Sequence, residues 1–426
     1  MLNLQAYCVY ARVCMMFMTL VKEIRSKFPA LSRKVYGKDL VYFDNAATSQ
    51  RVQSVVDEWK RVSEESNANI HRAVHCLADE ATQAYEHARD AVKEFINAES
   101  REEVVFTSGT TAAVNLVAFS FGEAFVKEGD EVIVTEAEHH SNIVPWQMMC
   151  RRKGAVLKVL PVDDSGYLMI EKLGGLLTDR TRILAVTHIS NVLGIINPVK
   201  EIISECHSKG VPVLVDGAQG AVHCKVDVQE LDCDFYAFSG HKLYAATGTG
   251  VLYGKRKWLD AMPPYMGGGE MVGTVSFAET TYAPLPMKFE AGTQNFASAA
   301  TLKPAIEFIK SLNDNDLIKY NNSIRDYLLD YFKSDSRIRL YGVPRGINED
   351  KIPLFSFTVE GVHHEDLALI LDKMGIAARS GQMCAEPLMD RYGVSGMLRI
   401  SIAPYNTLEE AEYFVKCLNK AIGMLV

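Results

Sequence analysis

The amino-acid sequence predicts an α/β fold, with a large, mostly parallel sheet of seven strands and a smaller α+β domain after it. Three observations support this prediction. Short apolar runs alternate with helical patterns up to about residue 300. The alternation then gives way to two long helical patterns, followed by strands of antiparallel character. The length of 426 residues is enough for two or three domains, each with its own core.

The strands predicted for the large sheet are short apolar runs. Runs of this kind are expected in parallel sheets, because both faces of such a sheet are covered. Helical patterns separate most of them, which indicates βαβ units. The predicted strands are Glu103–Phe106, Glu131–Thr135, Val156–Pro161, Arg182–Thr187, Val211–Val215, Phe235–Phe238 and Gly250–Tyr253.

A change of pattern near residue 301 predicts the second domain. Its predicted elements are the helices Thr301–Leu312, Leu317–Phe332, Glu365–Met374 and Leu408–Ile422 and the strands Leu354–Val359 and Leu398–Ile402. We therefore expect residues 37–300 to form the large domain and residues 301–426 the small domain. Residues 1–36 are expected to be an N-terminal extension with a segment that packs on the small domain.

The composition is that of an ordinary globular protein, with 48% hydrophobic and 23% charged residues. A net charge of −8 without a polybasic run argues against a nucleic-acid partner. The nine cysteines show neither CxxC nor Cys/His zinc spacing. An odd number without such spacing favours a reducing compartment over a disulfide framework, and we expect no metal site.

The N-terminal residues 1–21 are rich in apolar residues but are interrupted by Arg12. The stretch is short for a membrane span and lacks a clear signal-peptide pattern. An acid-free stretch with an arginine is also compatible with a transit peptide, and Met15, Met16 and Met18 leave room for a later start. We favour an incidental extension of a cytoplasmic protein.

Lys242 is the most informative residue for chemistry. It follows the mostly apolar run Asp234–Phe238, a predicted buried strand, so it stands close to a low-dielectric interior. Burial disfavours the ammonium form and makes a neutral amine available for a Schiff base. Asp216 ends another apolar run, and ligands bind at the carboxyl ends of such strands. A Schiff-base lysine and an acid for a pyridinium nitrogen are the minimal equipment for pyridoxal 5'-phosphate (PLP). The alternative is a buried salt bridge between the two residues.

A second pattern predicts a phosphate site. A predicted strand leads into Thr107–Thr111, a glycine turn rich in hydroxyl groups, and a helical run over Ala112–Phe119 follows. A strand, a turn and a helix start in this order present backbone N–H groups to an anion. Threonine and serine also cap ordinary helices, so the pattern alone leaves both interpretations open. Ser239 and His241, which flank Lys242, are natural further phosphate donors.

Several separated segments together resemble the cysteine desulfurases, which are PLP enzymes of fold-type I. The segment from Arg379 to Leu388, which contains Cys384, looks like the group II branch of SufS and the selenocysteine lyases. The resemblance extends from Phe28 to the C terminus. The other matching segments are Tyr42–Ala47, Ile70–Arg72, Gly109–Thr111, Glu138–Asn142, Ser190–Gly194, Asp216–Gln219, Ser239–Lys242 and Phe289–Thr293.

The resemblance implies roles around the cofactor. Lys242 would bind PLP covalently and move the substrate Cα proton, and Asp216 would pair with the pyridine nitrogen. Gln219 would hydrogen-bond the phenolic oxygen, and His139 would stack on the ring, whereas a core position is the default for His140. The phosphate would be held by Thr110, Thr111, Ser239 and His241, and by Thr293, which in this family reaches across the interface of a homodimer.

The resemblance also implies substrate contacts. Arg399 would clamp the substrate carboxylate, which suits the bidentate geometry of a guanidinium, and Asn191 would assist it. Arg379 would supply a cation near the substrate and Cys384. His71 and Arg72 would lie near the substrate too, and a purely structural role is their alternative.

Cys384 would carry the distinctive chemistry. It lies in a polar loop that contains glycine, and a nearby cation favours the reactive thiolate. The resemblance implies that Cys384 takes the sulfur of L-cysteine as a persulfide and leaves L-alanine, for iron–sulfur cluster assembly. Only four residues separate Arg379 from Cys384. Because so short a loop limits the reach of the persulfide, we expect stimulation by a SufE-like or SufU-like acceptor.

Two departures from the family pattern stand near the site. Tyr244-Ala-Ala-Thr-Gly248 replaces the common Tyr-Gly-Pro-Thr-Gly, and Met383 stands where a histidine often precedes the cysteine. Three alternatives remain at this point. A selenocysteine lyase shares nearly all of these residues, and an aminotransferase of the same fold needs no cysteine at position 384. A catalytically silent scaffold for iron–sulfur assembly proteins is disfavoured, because every cofactor-contact residue is present.

Overall fold

A seven-stranded sheet organises the larger part of the molecule. The computed structural model describes residues 19–312, 315–346 and 350–426. The strands of this sheet are β1 (Val104–Thr107), β2 (Glu131–Thr135), β3 (Val156–Leu160), β4 (Thr181–Thr187), β5 (Val213–Asp216), β6 (Phe235–Ser239) and β7 (Gly250–Gly254). Their order across the sheet is β1-β7-β6-β5-β4-β2-β3. Only β7 runs antiparallel to its neighbours, so the prediction of a mostly parallel sheet is confirmed.

The strand boundaries lie close to the predicted ones, and the largest difference concerns β5. This strand begins at Val213 rather than at Val211. Pro212 has no backbone N–H to donate to a neighbouring strand, and the N–H of Val211 is bonded to Cys206 instead. The buried strand β5 contributes to two cores: Val213 and Val215 pack into one apolar cluster and Leu214 into the other. Both faces of the sheet are therefore covered, as expected for parallel strands.

A smaller antiparallel sheet follows in the C-terminal part of the chain. Its strands are β8 (Ile338–Tyr341), β9 (Leu354–Val359), β10 (Arg379–Gly381) and β11 (Met397–Ser401), in the order β8-β9-β11-β10. The four helices predicted beyond residue 300 are present as Leu302–Ser311, Asn315–Ser334, His364–Lys373 and Leu408–Leu425. The short, polar strand β10 was not predicted, and it places the Cys384 loop directly after it.

The segment Val41–Asp44 packs beside this smaller sheet. Val41–Tyr42 pairs in parallel with Ile376–Ala377, and the carbonyl of Phe43 accepts a hydrogen bond of 2.7 Å from the N–H of Ser401. This pairing brings Asp44 to the edge of the cavity described below. The expectations for the first apolar stretch, including the methionines at 15, 16 and 18, fall mostly on residues 1–18, which lie outside the described residues.

The remaining helices lie before, between or after the strands of the large sheet, except Glu386–Tyr392, which lies between β10 and β11 of the smaller sheet. They are Gln53–Glu65, Cys76–Phe95, Thr110–Phe125, Val144–Lys153, Leu173–Leu176, Val199–Ser208, Gly220–His223, Val228–Leu231, Arg256–Ala261, Phe296–Ala300 and Glu386–Tyr392. Short strand pairs are Lys34–Val35 with Lys38–Asp39 and Val272–Val275 with Thr280–Tyr282. Across the described ranges, no helix has both the length and the apolar character needed to cross a membrane.

Candidate active site

A cavity of about 530 Å³ opens between the carboxyl ends of β4, β5 and β6 and the smaller sheet. All but three of the residues predicted for the site line this cavity. They are Thr110, Thr111, His139, Asn191, Asp216, Gln219, Ser239, His241, Lys242, Arg379, Cys384 and Arg399. The three exceptions are His71, Arg72 and Thr293.

Lys242 and Asp216 face the cavity from neighbouring strands. Asp216 is the last residue of β5, and Lys242 ends the short 3-10 helix that follows β6. Burial raises the pKa of Asp216, which opposes ionisation, while an N–H···O bond of 2.9 Å from Ala218 favours its charged form. Burial lowers the pKa of Lys242, an effect that Asp216 opposes and Arg399 reinforces. Within the described part of the chain, the Lys242 amine has neither a hydrogen bond nor an ion pair, so it is free to react.

The turn before the helix Thr110–Phe125 forms a small polar cradle. Ser239 accepts a hydrogen bond of 2.8 Å from the Thr110 N–H, and the two hydroxyl oxygens are 2.7 Å apart. Gly109 has a φ of +149°, and a Cβ added at Gly250 would come within 2.4 Å of the Gly109 Cα. A side chain at position 250 would therefore displace the turn. The helix start adds unpaired N–H groups and the positive end of its dipole, which suit an anion.

His241 and Gln219 flank the cradle. The His241 Nδ1 lies 3.3 Å from the hydroxyl oxygen of Thr48, and burial lowers the pKa of the imidazole to about 4. Its ring is therefore neutral near neutral pH and can donate one hydrogen bond. The Gln219 amide is oriented by a 2.8 Å hydrogen bond from its Nε2 to the carbonyl of Ala46.

His139 lines the cavity and is held by its own turn. Its Nδ1 accepts a hydrogen bond of 3.0 Å from the Ser141 N–H and lies 2.8 Å from the hydroxyl oxygen of Ser141. Burial, followed by the neighbouring Lys242 charge, lowers the pKa of His139 to about 4. A neutral ring can stack on a flat aromatic group more readily than a charged one, because it needs less solvation.

Glu138, directly before His139, is completely buried. Its carboxyl group accepts hydrogen bonds from the Thr135 hydroxyl, the Asn142 amide and the Thr187 N–H, at 2.6, 2.6 and 2.7 Å. Burial raises the pKa of Glu138 to about 8 despite these donors. Because Thr135 and Thr187 end β2 and β4, the carboxyl group ties the turn that carries His139 to the edge of the sheet.

Two arginines of the smaller sheet meet the carboxylate of Asp44. Arg379 lies 2.7 Å and the buried Arg399 3.4 Å from its oxygens. Arg399 also donates a hydrogen bond of 2.7 Å through Nη1 to the carbonyl of Asn191. Burial lowers the pKa of Arg399 to about 10, although Asp44 opposes this shift. The Arg399 Nε is buried and has no hydrogen-bond partner among the described residues.

The loop that carries Cys384 has an unusual backbone. Met383 and Cys384 both have a φ of +55°, in the left-handed region that favours glycine. The Met383 carbonyl accepts a hydrogen bond of 2.9 Å from the Asn191 amide, and the Cys384 carbonyl accepts one of 2.7 Å from the His140 N–H. The Cys384 side chain is exposed and belongs to the cavity wall.

His71 and Thr293 lie outside the cavity of the single chain. The His71 Nε2 lies 3.2 Å from the Glu86 carboxylate, which turns the ring toward the helix Cys76–Phe95. Arg72, next to it, pairs with Glu270 at 3.1 Å. Thr293 is exposed on the surface. Within one chain these residues therefore do not contribute to the cavity wall around Lys242.

Comparison with known proteins places the chain in a family. Residues 41–414 match the aminotransferase class-V family. The cysteine desulfurase of Cronobacter sakazakii (strain ATCC BAA-894) is 46% identical over 396 residues, which cover 93% of this chain and 96% of that protein. The chain belongs to the cysteine desulfurases. That of Escherichia coli O127:H6 is 45% identical over 406 residues and covers 95% of this chain and 99% of its own length.

Solved structures of other cysteine desulfurases share the fold. The Escherichia coli enzyme CsdA, in an S-sulfonic acid form, superposes with a TM-score of 0.87 at 40% identity, covering 95% of this chain and 99% of that one. The apo enzyme of Thermococcus onnurineus NA1 gives 0.83 at 35% identity, covering 93% and 99%. The prediction of a fold-type I α/β architecture is thereby confirmed.

Three residues of this cysteine desulfurase site were not predicted in their observed roles. Asp44 pairs with both cavity arginines, and Glu138 fixes the His139 turn. His140 was expected to be a core residue, and this expectation is wrong. It is only partly buried, and its Nε2 accepts a hydrogen bond of 2.9 Å from the N–H of Glu386, beside Cys384. The segment Glu138–Asn142 was noted only as a motif, and its hydrogen bonds depend on distant strands.

Proposed function

We propose that this cysteine desulfurase uses PLP to convert L-cysteine to L-alanine and collects the sulfur as a persulfide on Cys384. One observation carries the proposal: the wall of a single cavity contains an exposed thiol, a partly buried lysine that has no partner in the described residues, a buried aspartate and a cationic clamp. The thiol separates this function from that of an aminotransferase of the same fold, whose chemistry needs no cysteine there.

The cavity fits PLP. We propose that Thr110, Thr111, Ser239 and His241 hold the phosphate, since they form the polar cradle at a helix start. Asp216 is placed to face a protonated ring nitrogen, whose charge would offset the cost of burying its carboxylate. The remaining two proposed contacts are Gln219 to the phenolic oxygen and His139 to the ring face. When bound, PLP withdraws electron density from the substrate Cα and so makes its proton acidic.

Lys242 is the residue placed to attach the cofactor and to move the Cα proton. Both tasks need a neutral amine, and burial lowers the pKa of Lys242 toward that state. Because the amine has no hydrogen-bond or ion-pair partner in the described residues, no existing contact has to be broken first. Asp216 opposes the shift, so the amine keeps enough basicity to accept a proton.

Arg399 is placed to bind the substrate carboxylate. Its buried Nε lacks an acceptor in the described chain, and an unpaired buried donor costs about 1–3 kcal/mol. A carboxylate would provide that acceptor. Asn191 holds the guanidinium in place through its carbonyl, and Arg379 adds a second cation at the same side of the cavity. Arg399 thus orients the substrate so that its sulfur points to the loop above.

Cys384 is placed to take the sulfur. Its thiolate attacks the substrate sulfur, an S–S bond forms, and the substrate Cβ–S bond breaks with its electron pair left on carbon. Protonation of that carbon fragment completes L-alanine. The balance is one L-cysteine and one Cys384 thiol giving one L-alanine and one Cys384 persulfide, with no external oxidant or reductant.

The surroundings support two further proposals about partners. Thr293 is exposed and outside the cavity, so we propose that it completes the phosphate site of a second copy in a homodimer. The exposed Cys384 on a short loop supports delivery of the sulfur to a SufE-like or SufU-like thiol protein, for iron–sulfur cluster assembly.

Intact-mass analysis after incubation with L-cysteine tests the proposal. Wild-type protein and the Cys76→Ser variant should each gain one sulfur atom, whereas Cys384→Ser should gain none but still bind substrate. Cys76 is the matched control because it and Cys384 are the exposed cysteines of the described chain. Full alanine production by Cys384→Ser would contradict the nucleophile role. Transfer of the amino group to a keto acid would indicate an aminotransferase instead, and faster turnover of L-selenocysteine would indicate a lyase.

A further inference from the structure

His140 connects the turn beside the cofactor site to the Cys384 loop. We propose that His140 is a positioning residue, whose imidazole holds this loop over the cavity by acting as the cap of the helix that follows it. The inference rests on the proposed role of Cys384 and adds a residue that the sequence analysis expected, by default, to be a core histidine.

Two hydrogen bonds of His140 hold the loop, one at Cys384 and one two residues after it. The backbone N–H donates to the Cys384 carbonyl at 2.7 Å, and the ring Nε2 accepts from the Glu386 N–H at 2.9 Å. The second contact requires a ring that carries its proton on Nδ1, because a protonated Nε2 could not accept. The loop is therefore tied at the cysteine itself and again two residues later.

The ring contact replaces a missing helix cap. The helix Glu386–Tyr392 begins after Ala385, which has no side-chain acceptor for the first free N–H groups of the helix. Such groups need a partner from elsewhere. The His140 Nε2 supplies it from a turn that is distant in sequence, so the start of this helix is fixed relative to the cavity rather than only to its own loop.

The backbone of the loop shows why such a tie is needed. Met383 and Cys384 are consecutive residues in the left-handed region, which is unfavourable for residues with a Cβ. A conformation of this kind persists where surrounding contacts hold it. Asn191 holds the Met383 carbonyl at 2.9 Å, and His140 holds the following residues. Without the ring contact, the loop has fewer restraints, and the thiol spends less time over the substrate sulfur.

The position of His140 also couples two parts of the site. It is the first residue of the 3-10 helix His140–Asn142, and His139 precedes it at the cavity wall. Asn142, in the same turn, donates to the buried Glu138. One short turn therefore fixes both the orientation of the His139 ring and the position of the Cys384 loop above this ring.

Two variants of His140 test the acceptor role. His140→Gln keeps an acceptor oxygen within reach of the Glu386 N–H, while His140→Leu keeps the bulk and removes the acceptor. Both are made in the Cys76→Ser background and loaded with PLP. The first measurement is the rate at which iodoacetamide alkylates Cys384 without substrate. The second is the single-turnover rate of persulfide formation with L-cysteine.

We expect His140→Leu to raise the alkylation rate and to lower the persulfide rate by about fivefold, the equivalent of one hydrogen bond. His140→Gln should stay close to the parent in both measurements, and cofactor absorbance should be unchanged in all variants. Glu386→Pro removes the same hydrogen bond from the other side, at a first helical position where proline is tolerated. Glu386→Pro should change the alkylation rate and the persulfide rate in the same way as His140→Leu, and combining the two substitutions should change neither rate further. The test is therefore possible even where His140→Leu fails to fold.

Parent-like behaviour of both His140→Leu and Glu386→Pro would overturn the inference. Equal losses in His140→Gln and His140→Leu would overturn it as well, because an acceptor role demands rescue by glutamine. Failure of the proposed function is distinguishable from either result. In that case Cys384→Ser would produce alanine normally, while the alkylation rates would still report on the position of the loop.

Discussion

The buried ion pair between Arg89 and Glu290 gives the sharpest stability prediction. The Glu290 carboxylate accepts hydrogen bonds from Arg89 at 2.7 and 2.9 Å, from the Tyr85 hydroxyl at 2.7 Å and from the Phe106 N–H at 2.7 Å. Both charged residues are almost completely buried. Glu290 thereby joins the helix Cys76–Phe95 to β1, the strand that leads into the phosphate cradle.

Glu290→Gln keeps the size of the side chain and removes its charge. The new NH₂ group would face donors, and the buried Arg89 cation would keep only the partly exposed Glu86 carboxylate, at 3.1 Å, as a counter-charge. Breaking a buried pair in this way costs about 3–5 kcal/mol. Asp90→Asn is the matched control. Asp90 lies in the same helix as Arg89 and pairs with Arg101 at 2.5 Å, but both of these side chains are more than 40% exposed. An exposed pair of this kind contributes at most about 1 kcal/mol.

Urea denaturation, monitored by circular dichroism at one protein concentration, measures the free energy of unfolding of both variants and of the wild type. Concentration must be fixed because the proposed dimer would stabilise the folded state by mass action. We expect a clearly lower midpoint for Glu290→Gln and a midpoint near the wild-type value for Asp90→Asn. Equal destabilisation by the two variants would show that burial does not make the Arg89–Glu290 pair contribute more to stability than the exposed Asp90–Arg101 pair.

Two further predictions concern the shared site and a second buried charge. The Lys242→Ala protein and the Thr293→Ala protein should each be inactive alone and should regain activity when mixed, because one site of the mixed dimer has both native residues. No recovery of activity after confirmed subunit exchange would refute the shared site. Burial lowers the pKa of Lys351 from 10.5 to about 7, so the unfolded chain binds more protons between these values and stability rises with pH across that window. The stability advantage of Lys351→Met over the wild type should therefore shrink by about 3–5 kcal/mol from pH 7 to pH 10.5, and parallel stability curves would contradict the assignment.

Local sequence patterns were sufficient for the residues at strand ends. Asp216 and Lys242 each follow an apolar run, and the carboxyl ends of parallel strands share one edge of a sheet. Their proximity therefore follows from two local patterns and a general rule of topology. The cradle at Thr110 could be predicted for the same reason, because a strand, a glycine turn and a helix start are adjacent in sequence.

Other parts of the site depend on contacts between distant segments. Arg379–Gly381 is too short and polar to be predicted as a strand, and its pairing with β11 decides its conformation. Asp44 meets Arg379 and Arg399 only because a two-residue parallel pairing draws its segment to the smaller sheet. No periodicity or local motif reports such a contact. The resemblance located the arginines, but not the carboxylate between them.

The Cys384 loop shows why the position of a reactive group is the hardest feature to predict. Local rules assign left-handed backbone to glycine, and Gly381 in this loop does have a φ of +109°. The next two residues in that region are instead Met383 and Cys384, where no rule of turn chemistry places them. The proposed function needs the Cys384 thiol at this point, so glycine cannot relieve the backbone strain, and contacts from outside the loop must offset it. Asn191 and His140 provide those contacts from the large-sheet side of the cavity. The position of the Cys384 thiol is therefore set from the large-sheet side of the cavity, although the strand that carries its loop belongs to the smaller sheet.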